Sequence, residues 1–307
     1  MYTDFFPETD ISNLNATLNQ HGVCVLTNVF QREECDFIRQ RILNHLKTEL
    51  NVSEPNDFEK LKPLKGGIMR YYGISLLKEV LDLKTDARTV KPFEEIWQNN
   101  ELTTSFDSIF IGPPPEQTEK DNFFDPNKTW FHLDQASNKH DLCCVQAFIN
   151  LEDAEHGDGC LSVLEKSHLY FNEFYTHFGI NTQGRDWFLL NQKIHVDWFR
   201  EKGCNWRTIM APKGSMVFWD SRVVHQGTLP RKNRPNPKWR FLSYVCYTPG
   251  YLQSKNDAKL KREAYVNNLC TAHWPYTVKI FNVKTDDFNK TNNLKELSQR
   301  QKLLFGI

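Results

Sequence analysis

The spacing of apolar residues divides the chain near residue 106. Before that point, Cys35, Ile38, Ile42, Leu43 and Leu46 recur at helical spacing between Glu33 and Leu50, with Asn28 placed to cap the helix. A further helix is predicted over residues 90–105, with Pro92 near its start. Gly22-Val23-Cys24-Val25-Leu26 is a brief apolar run with strand character. Residues 1–105 are therefore expected to be mostly helical. Beyond them come short apolar runs punctuated by Gly, Pro, Asn and Asp: Phe106 to Ile111, then 129–134, 142–151, 159–164, 215–219 and 239–247. The first stops at Gly112-Pro113-Pro114-Pro115, which cannot continue a sheet interior. Such runs predict an antiparallel sandwich or barrel. Jelly rolls and cupins solve the edge-strand problem in this way and leave a ligand cavity between their sheets. The expected class is mainly β with flanking helices, the core lying in residues 106–250.

Residues 169–212 interrupt the strands and are rich in aromatics, including Trp187, Trp198 and Trp206. Segments of that length usually carry function or structure of their own, so a partly helical insert over the mouth of the sheets is one expectation and a surface insert that merely packs is the other. After Pro249 a helix is predicted over 256–270, and the lysine-rich tail to Ile307 is expected to be peripheral. The 307 residues read as one large domain.

Composition narrows the function classes. The chain has 38 basic and 38 acidic residues, so no global attraction for nucleic acid or anionic membrane is indicated. No stretch of 18 apolar residues exists to span a bilayer. Met1-Tyr2-Thr3-Asp4-Phe5-Phe6 lacks the basic start and apolar run of a secretory signal, which makes the cytoplasm the expected compartment. Eight scattered cysteines without a C-x-x-C pair read as reduced structural thiols.

One tripeptide bears chemistry. Trp130-Phe131-His132-Leu133-Asp134 ends an apparent strand, so His132 and Asp134 share a face while Leu133 points the other way. With ten histidines and 38 acids in the chain, H-x-D alone is weak. Its company strengthens it: His225 closes a second aromatic run, Val217 to Val224, after the Pro212-Lys213-Gly214 turn. Two imidazoles and one carboxylate on one face of a metal form the arrangement of non-haem Fe(II) oxygenases. Catalytic zinc also accepts three protein ligands plus water, although no H-E-x-x-H is present. A further strand, Trp239-Arg240-Phe241-Leu242-Ser243-Tyr244, carries an arginine whose planar fork suits a carboxylate.

These segments resemble the phytanoyl-CoA dioxygenase-like family of Fe(II)/2-oxoglutarate-dependent oxygenases. The resemblance is carried by Trp130 to Gln135, Val145 to Leu151, Gly157 to Leu164, Ser167-His168, Lys213 to Asp220, His225-Gln226-Gly227 and the Arg240 strand. It covers roughly residues 105–250, with a weaker match near 20–45, and departs modestly at Glu165-Lys166-Ser167-His168, where the family usually has Pro-Gly-Ser-His. It implies a double-stranded β-helix core (jelly roll, cupin-like), an Fe(II) site at His132, Asp134 and His225, and 2-oxoglutarate and O₂ as co-substrates. Arg240 would pair with the distal carboxylate of 2-oxoglutarate, in preference to Arg231 and Arg234, which lie in a proline-rich turn. Gln146 would contact co-substrate or substrate, its alternative being an outward-facing strand residue, and Thr228 is a second co-substrate candidate. Related halogenases replace the carboxylate ligand with a small residue, so Asp134 favours C–H oxidation over halogenation. His168 is expected to be structural.

The prime substrate is less legible. Between Ser221 and Asn256 there is no acidic residue, while Arg222, Arg231, Lys232, Arg234, Lys238, Arg240 and Lys255 are present. With Lys60, Lys62, Lys65 and Arg70 they would make either a positive cavity rim suited to an anionic small molecule or merely a solvated basic loop. Arg70, Tyr72 and Trp219 are the candidate substrate contacts. The rival functions are a non-catalytic metal- or ligand-binding barrel of the same fold, and an oxygenase acting on a protein or nucleic acid.

Overall fold

The computed structural model describes residues 3–118, 130–281 and 294–307. Two facing sheets form the centre. The larger runs in the order Glu8–Thr9, Val23–Leu26, Met216–Asp220, Val145–Asn150, Arg240–Pro249, Ile109–Gly112, Ile68–Met69, with Leu102–Thr104 also pairing on Arg240–Pro249. The smaller runs Thr3–Phe5, Asn205–Ile209, Leu161–Glu165, His225–Gly227, His132–Leu133, Phe188–Leu189. Pairing is antiparallel except where Thr3–Phe5 and Glu8–Thr9 join their neighbours in parallel.

Strand alternation sorts the larger sheet into two layers. Val145, Ala147, Ile149, Met216, Phe218, Phe241, Val245 and Tyr247 face the core shared with helices Leu14–His21, Arg32–Leu50, Lys78–Thr85 and Ala87–Trp97. Val23, Val25, Phe110, Phe148, Val217, Trp219 and Leu242 face the smaller sheet, meeting Leu161, Val163 and Ile209. A third layer, with Phe171, Phe174, Trp198 and Phe199 from residues 169–212, covers the far side of the smaller sheet at Phe131, Leu133 and Leu164. The result is a jelly roll with helices packed outside it, as expected.

The differences from expectation have local causes. The helix Arg32–Leu50 starts after Gln31, whose N–H donates to Glu34 Oε2 at 2.8 Å; Asn28 lies outside it at a positive φ of 55°. The helix predicted at 90–105 runs instead over Ala87–Trp97, started by Asp86, whose carboxylate accepts the Arg88 N–H, and Pro92 falls inside it. Its predicted end forms the strand Leu102–Thr104. Within the insert, Asn205–Ile209 is a full strand paired with Leu161–Glu165. The tail is not peripheral: Phe305 on the helix Gln299–Phe305 is fully buried against Phe106 and Tyr265. Thr129, the first residue of one predicted strand, lies outside the described residues.

Candidate active site

Antiparallel pairing sets His132 directly opposite His225 on the smaller sheet. Their rings lie 4.2 Å apart between centroids, and Leu133 points away into the aromatic layer. The strand ends after Leu133, and the Asp134 N–H donates to Ser221 O at 3.1 Å. The carboxylate is thereby brought back to the histidines, with Asp134 Oδ2 3.3 Å from His225 Nε2 and 3.6 Å from His132 Nε2. One ligand atom from each residue lies within 4.8 Å of the others, and all three side chains are buried.

Both rings are oriented through their second nitrogen. His132 Nδ1 is 2.9 Å from Trp130 O, and His225 Nδ1 is 2.9 Å from Val223 O. A carbonyl can only accept, so each Nδ1 carries the proton and each Nε2 lone pair faces Asp134. Burial raises the Asp134 carboxyl, but the electrostatic pull of His132 and His273, with the close approach of the His132 and His225 rings, holds it well below the usual range. Burial, followed by the charge of His132, pushes His225 down. A neutral imidazole and an ionised carboxylate are the ligand forms a divalent metal requires.

Gln146 is on the interior face of its strand, opposite Trp219, and donates from Nε2 to Asp134 Oδ2 at 3.0 Å. One N–H of its amide is thus turned to the carboxylate. Trp219 lies in the same interior layer, its ring 5.6 Å from that of His225, and its buried Nε1 has no partner among the described residues. Two aromatic neighbours flank His132. Trp130 stacks on His132 at 4.6 Å and donates from Nε1 to Gly227 O, while Trp187, half exposed, brings its ring within 6.2 Å of His132. Trp187 precedes Phe188–Leu189, which pairs with Leu133 and His132, so the insert adjoins the site.

Arg240 enters from the larger sheet. Its guanidinium lies over the Phe110 ring at 4.5 Å, and a Cβ on Gly227 would sit 2.9 Å from Nη1, so the glycine makes room for it two residues after His225. No carboxylate pairs with Arg240 among the described residues. The competing arginines are engaged: Arg234 with Asp158 and Glu116, Arg231 with His156. Thr228 is also committed, its hydroxyl donating to Cys160 O at 3.1 Å and accepting the Cys160 N–H at 3.0 Å. Tyr72 has a positive φ of 59° and packs toward the helix-side core, its hydroxyl 3.4 Å from Lys60 O. Arg70, in contrast, follows Ile68 at interior spacing and stacks on Phe281 at 4.2 Å. His168 lies with Nε2 2.9 Å from Asn19 O.

Part of the basic set expected at the rim is paired: Arg222 with Asp220 and Lys60 with Asp57, both close in sequence, and Lys238 with Asp153 and Glu155 from a distant segment.

A jelly roll that gathers two imidazoles and one carboxylate in its interior defines the class of non-haem iron oxygenases that use 2-oxoglutarate. The chain belongs to the phytanoyl-CoA dioxygenase (PhyH) family, whose sequence profile matches residues 18–231. It is 25% identical over 284 residues to Ava biosynthesis cluster protein O of Aspergillus versicolor, covering 89% of each chain. It is similar in structure to the epimerase SnoN in complex with Fe3+, alpha ketoglutarate and nogalamycin RO (TM-score 0.52, 13% identity, 78% of this chain and 84% of that one). It is likewise similar to EctD from S. alaskensis with 2-oxoglutarate and 5-hydroxyectoine (TM-score 0.53, 12% identity, 82% and 79%).

Proposed function

We propose that this dioxygenase oxidises an unactivated C–H bond of a small molecule, with 2-oxoglutarate converted to succinate and CO₂. The observation that carries this reading is the buried His132–Asp134–His225 cluster with the carboxylate present and both Nε2 atoms turned to it. These residues would hold Fe(II), which on binding supplies the O₂ activation that no side chain can provide. The protein's own part is to fix the ligands, to exclude water with Phe148, Trp219 and Trp130, and to hold the co-substrate. Arg240 would take the distal carboxylate of 2-oxoglutarate, being the interior arginine beside Gly227 without an acidic partner among the described residues. Hydroxylation is the default outcome, and desaturation or oxidative cyclisation would start from the same substrate radical. The relative from a biosynthesis cluster supports a place in specialised metabolism. A cytoplasmic small-molecule enzyme is the setting this reading favours.

Zinc fits the same three ligands, but would give the free arginine beside them no task. The test is co-substrate turnover. Purified protein with Fe(II), 2-oxoglutarate and O₂ should release succinate, faster with its prime substrate in a metabolite library. Zn(II) in place of Fe(II) should give none. Succinate release indifferent to the metal, or absent across the library from iron-loaded protein, would contradict the proposal.

A further inference from the structure

Beyond the metal cluster, several interior polar groups lack partners, and they lie along one path. Arg240, Leu242, Tyr244 and Cys246 alternate inward on their strand. Cys246 stands opposite Gln146, and Tyr244 opposite Phe148. On its other side the Tyr244 N–H reaches Ser108 O, and the register Met69↔Ile109 places Arg70 next to Ser108. A row therefore crosses the larger sheet from Phe148 through Tyr244 to Arg70 at the edge strand. Arg240 lies off this row, four residues or about 13 Å along the strand from Tyr244. The sheet thus offers two separate cationic positions, one beside Gly227 and one at its edge.

The edge position is roofed by a hairpin beyond the stretch matched by the family profile. Thr271 bridges Ile280, the Phe281 N–H donates to Cys270 O, and Thr271 exchanges hydrogen bonds with the backbone of Phe106. Phe281 lays its ring on Arg70, and Trp274 packs against Cys144 and Cys246. On this hairpin the His273 ring lies 5.8 Å from that of Trp274, which packs on Cys246 two residues from Tyr244, and the buried His273 Nε2 has no partner among the described residues. Arg70 Nε is likewise buried without a partner, and the Tyr244 ring meets that of Phe148 edge-on at 6.2 Å in the interior layer. Asp107, beside Ser108 in sequence, accepts from the N–H and hydroxyl of Ser108. Folded proteins rarely leave buried donors unsatisfied, and several along one path to a catalytic centre mark a ligand site.

We propose that Arg70, Tyr244 and His273 form a recognition site for a carboxylate on the prime substrate, a group distinct from the co-substrate carboxylate at Arg240. Phe148 and Trp219, in the same interior layer, offer flat surfaces, so the substrate is a ring-bearing acid. Arg70 supplies the charge, Tyr244 a hydroxyl donor, and His273 a third polar contact from the hairpin. The inference rests on the oxygenase reading above and names its substrate class.

The test is calorimetric, with indole-3-carboxylate and its methyl ester as probes, on anaerobic enzyme loaded with Fe(II) and 2-oxoglutarate. The acid should bind wild-type protein at least tenfold more tightly than the ester. Arg70→Gln and Tyr244→Phe should abolish that preference, Arg70→Lys should restore part of it, and all three should keep wild-type affinity for 2-oxoglutarate. Arg240→Gln should lose 2-oxoglutarate instead. No preference for the acid in wild type, an unchanged preference in Arg70→Gln, or loss of 2-oxoglutarate rather than probe in that variant would overturn the proposal. Failure of wild-type protein to bind 2-oxoglutarate at all would instead overturn the oxygenase reading, and this proposal with it.

Discussion

Asp134 is shaped from three sides: His132 and His225 approach one oxygen from the smaller sheet and Gln146 donates to the same oxygen from the larger. Outer contacts of this kind fix ligand orientation and commonly change metal affinity by about 10–100-fold when removed. Gln146→Leu is therefore expected to weaken Fe(II) binding by about that factor while leaving the circular dichroism spectrum unchanged, as a competitive chelator titration would show. Thr228 makes the opposite prediction. Because its hydroxyl closes the strand pairing at Cys160, Thr228→Val should cost about 1 kcal/mol of stability per lost hydrogen bond and leave the KM for 2-oxoglutarate within twofold of wild type. A large rise in that KM without loss of stability would return Thr228 to the co-substrate site. The chemistry at this scale was legible because strand alternation is local: two residues apart means one face. Trp130 follows the same rule, two residues before His132, whereas Trp187 and His273 were not legible, since nothing in their neighbours' spacing tells which distant part of the fold they approach.

Elements behaved less predictably than the ligands they carry. Apolar runs found the main strands, but Asn205–Ile209 is half-buried and reads Asn-Trp-Arg-Thr-Ile, so its place in the sheet depends on Leu161–Glu165 rather than on its own pattern. The C-terminal helix Gln299–Phe305 presents only Leu304 and Phe305 to the core, too few for a period to show in sequence. Phe305→Ala should nonetheless lower stability by about 3–5 kcal/mol, the range for buried aromatic truncations, as denaturant unfolding would report. The helix Lys255–Val266 carries a second hidden core residue, Lys261, fully buried with Nζ donating to Thr103 and Gln253. Burial pushes its amine well below the ordinary lysine value. The unfolded chain therefore holds a proton that the native state lacks between the lowered value and about 10.5, so stability should rise with pH across that window. Lys261→Met should flatten this rise and be at least as stable near neutrality, because Thr103 and Gln253 keep their mutual hydrogen bond. A pH profile of unfolding identical in both proteins would refute the buried neutral amine.

At the scale of the whole molecule, three apolar layers hold two sheets whose facing sides carry the chemistry. Helices back the larger sheet, the insert backs the smaller, and the polar residues concentrate between them. The interior cluster needs both sheets: His132, Asp134 and His225 come from the smaller, Gln146, Trp219, Arg240 and Tyr244 from the larger. The net charge of zero says little about this interior: Arg234 and Lys238 pair with acids on distant segments, whereas Arg240 and Arg70 have no acidic partner among the described residues. Membership of the phytanoyl-CoA dioxygenase family makes the chain an oxygenase, and the geometry assigns the work within it. The most direct test of that assignment is anaerobic absorbance of the protein with Fe(II) and 2-oxoglutarate. A metal-to-ligand charge-transfer band should appear only when both are present, vanish in His225→Ala, and require far more 2-oxoglutarate in Arg240→Gln. No band at saturating ligand in wild-type protein, or an undiminished band in His225→Ala, would contradict the account.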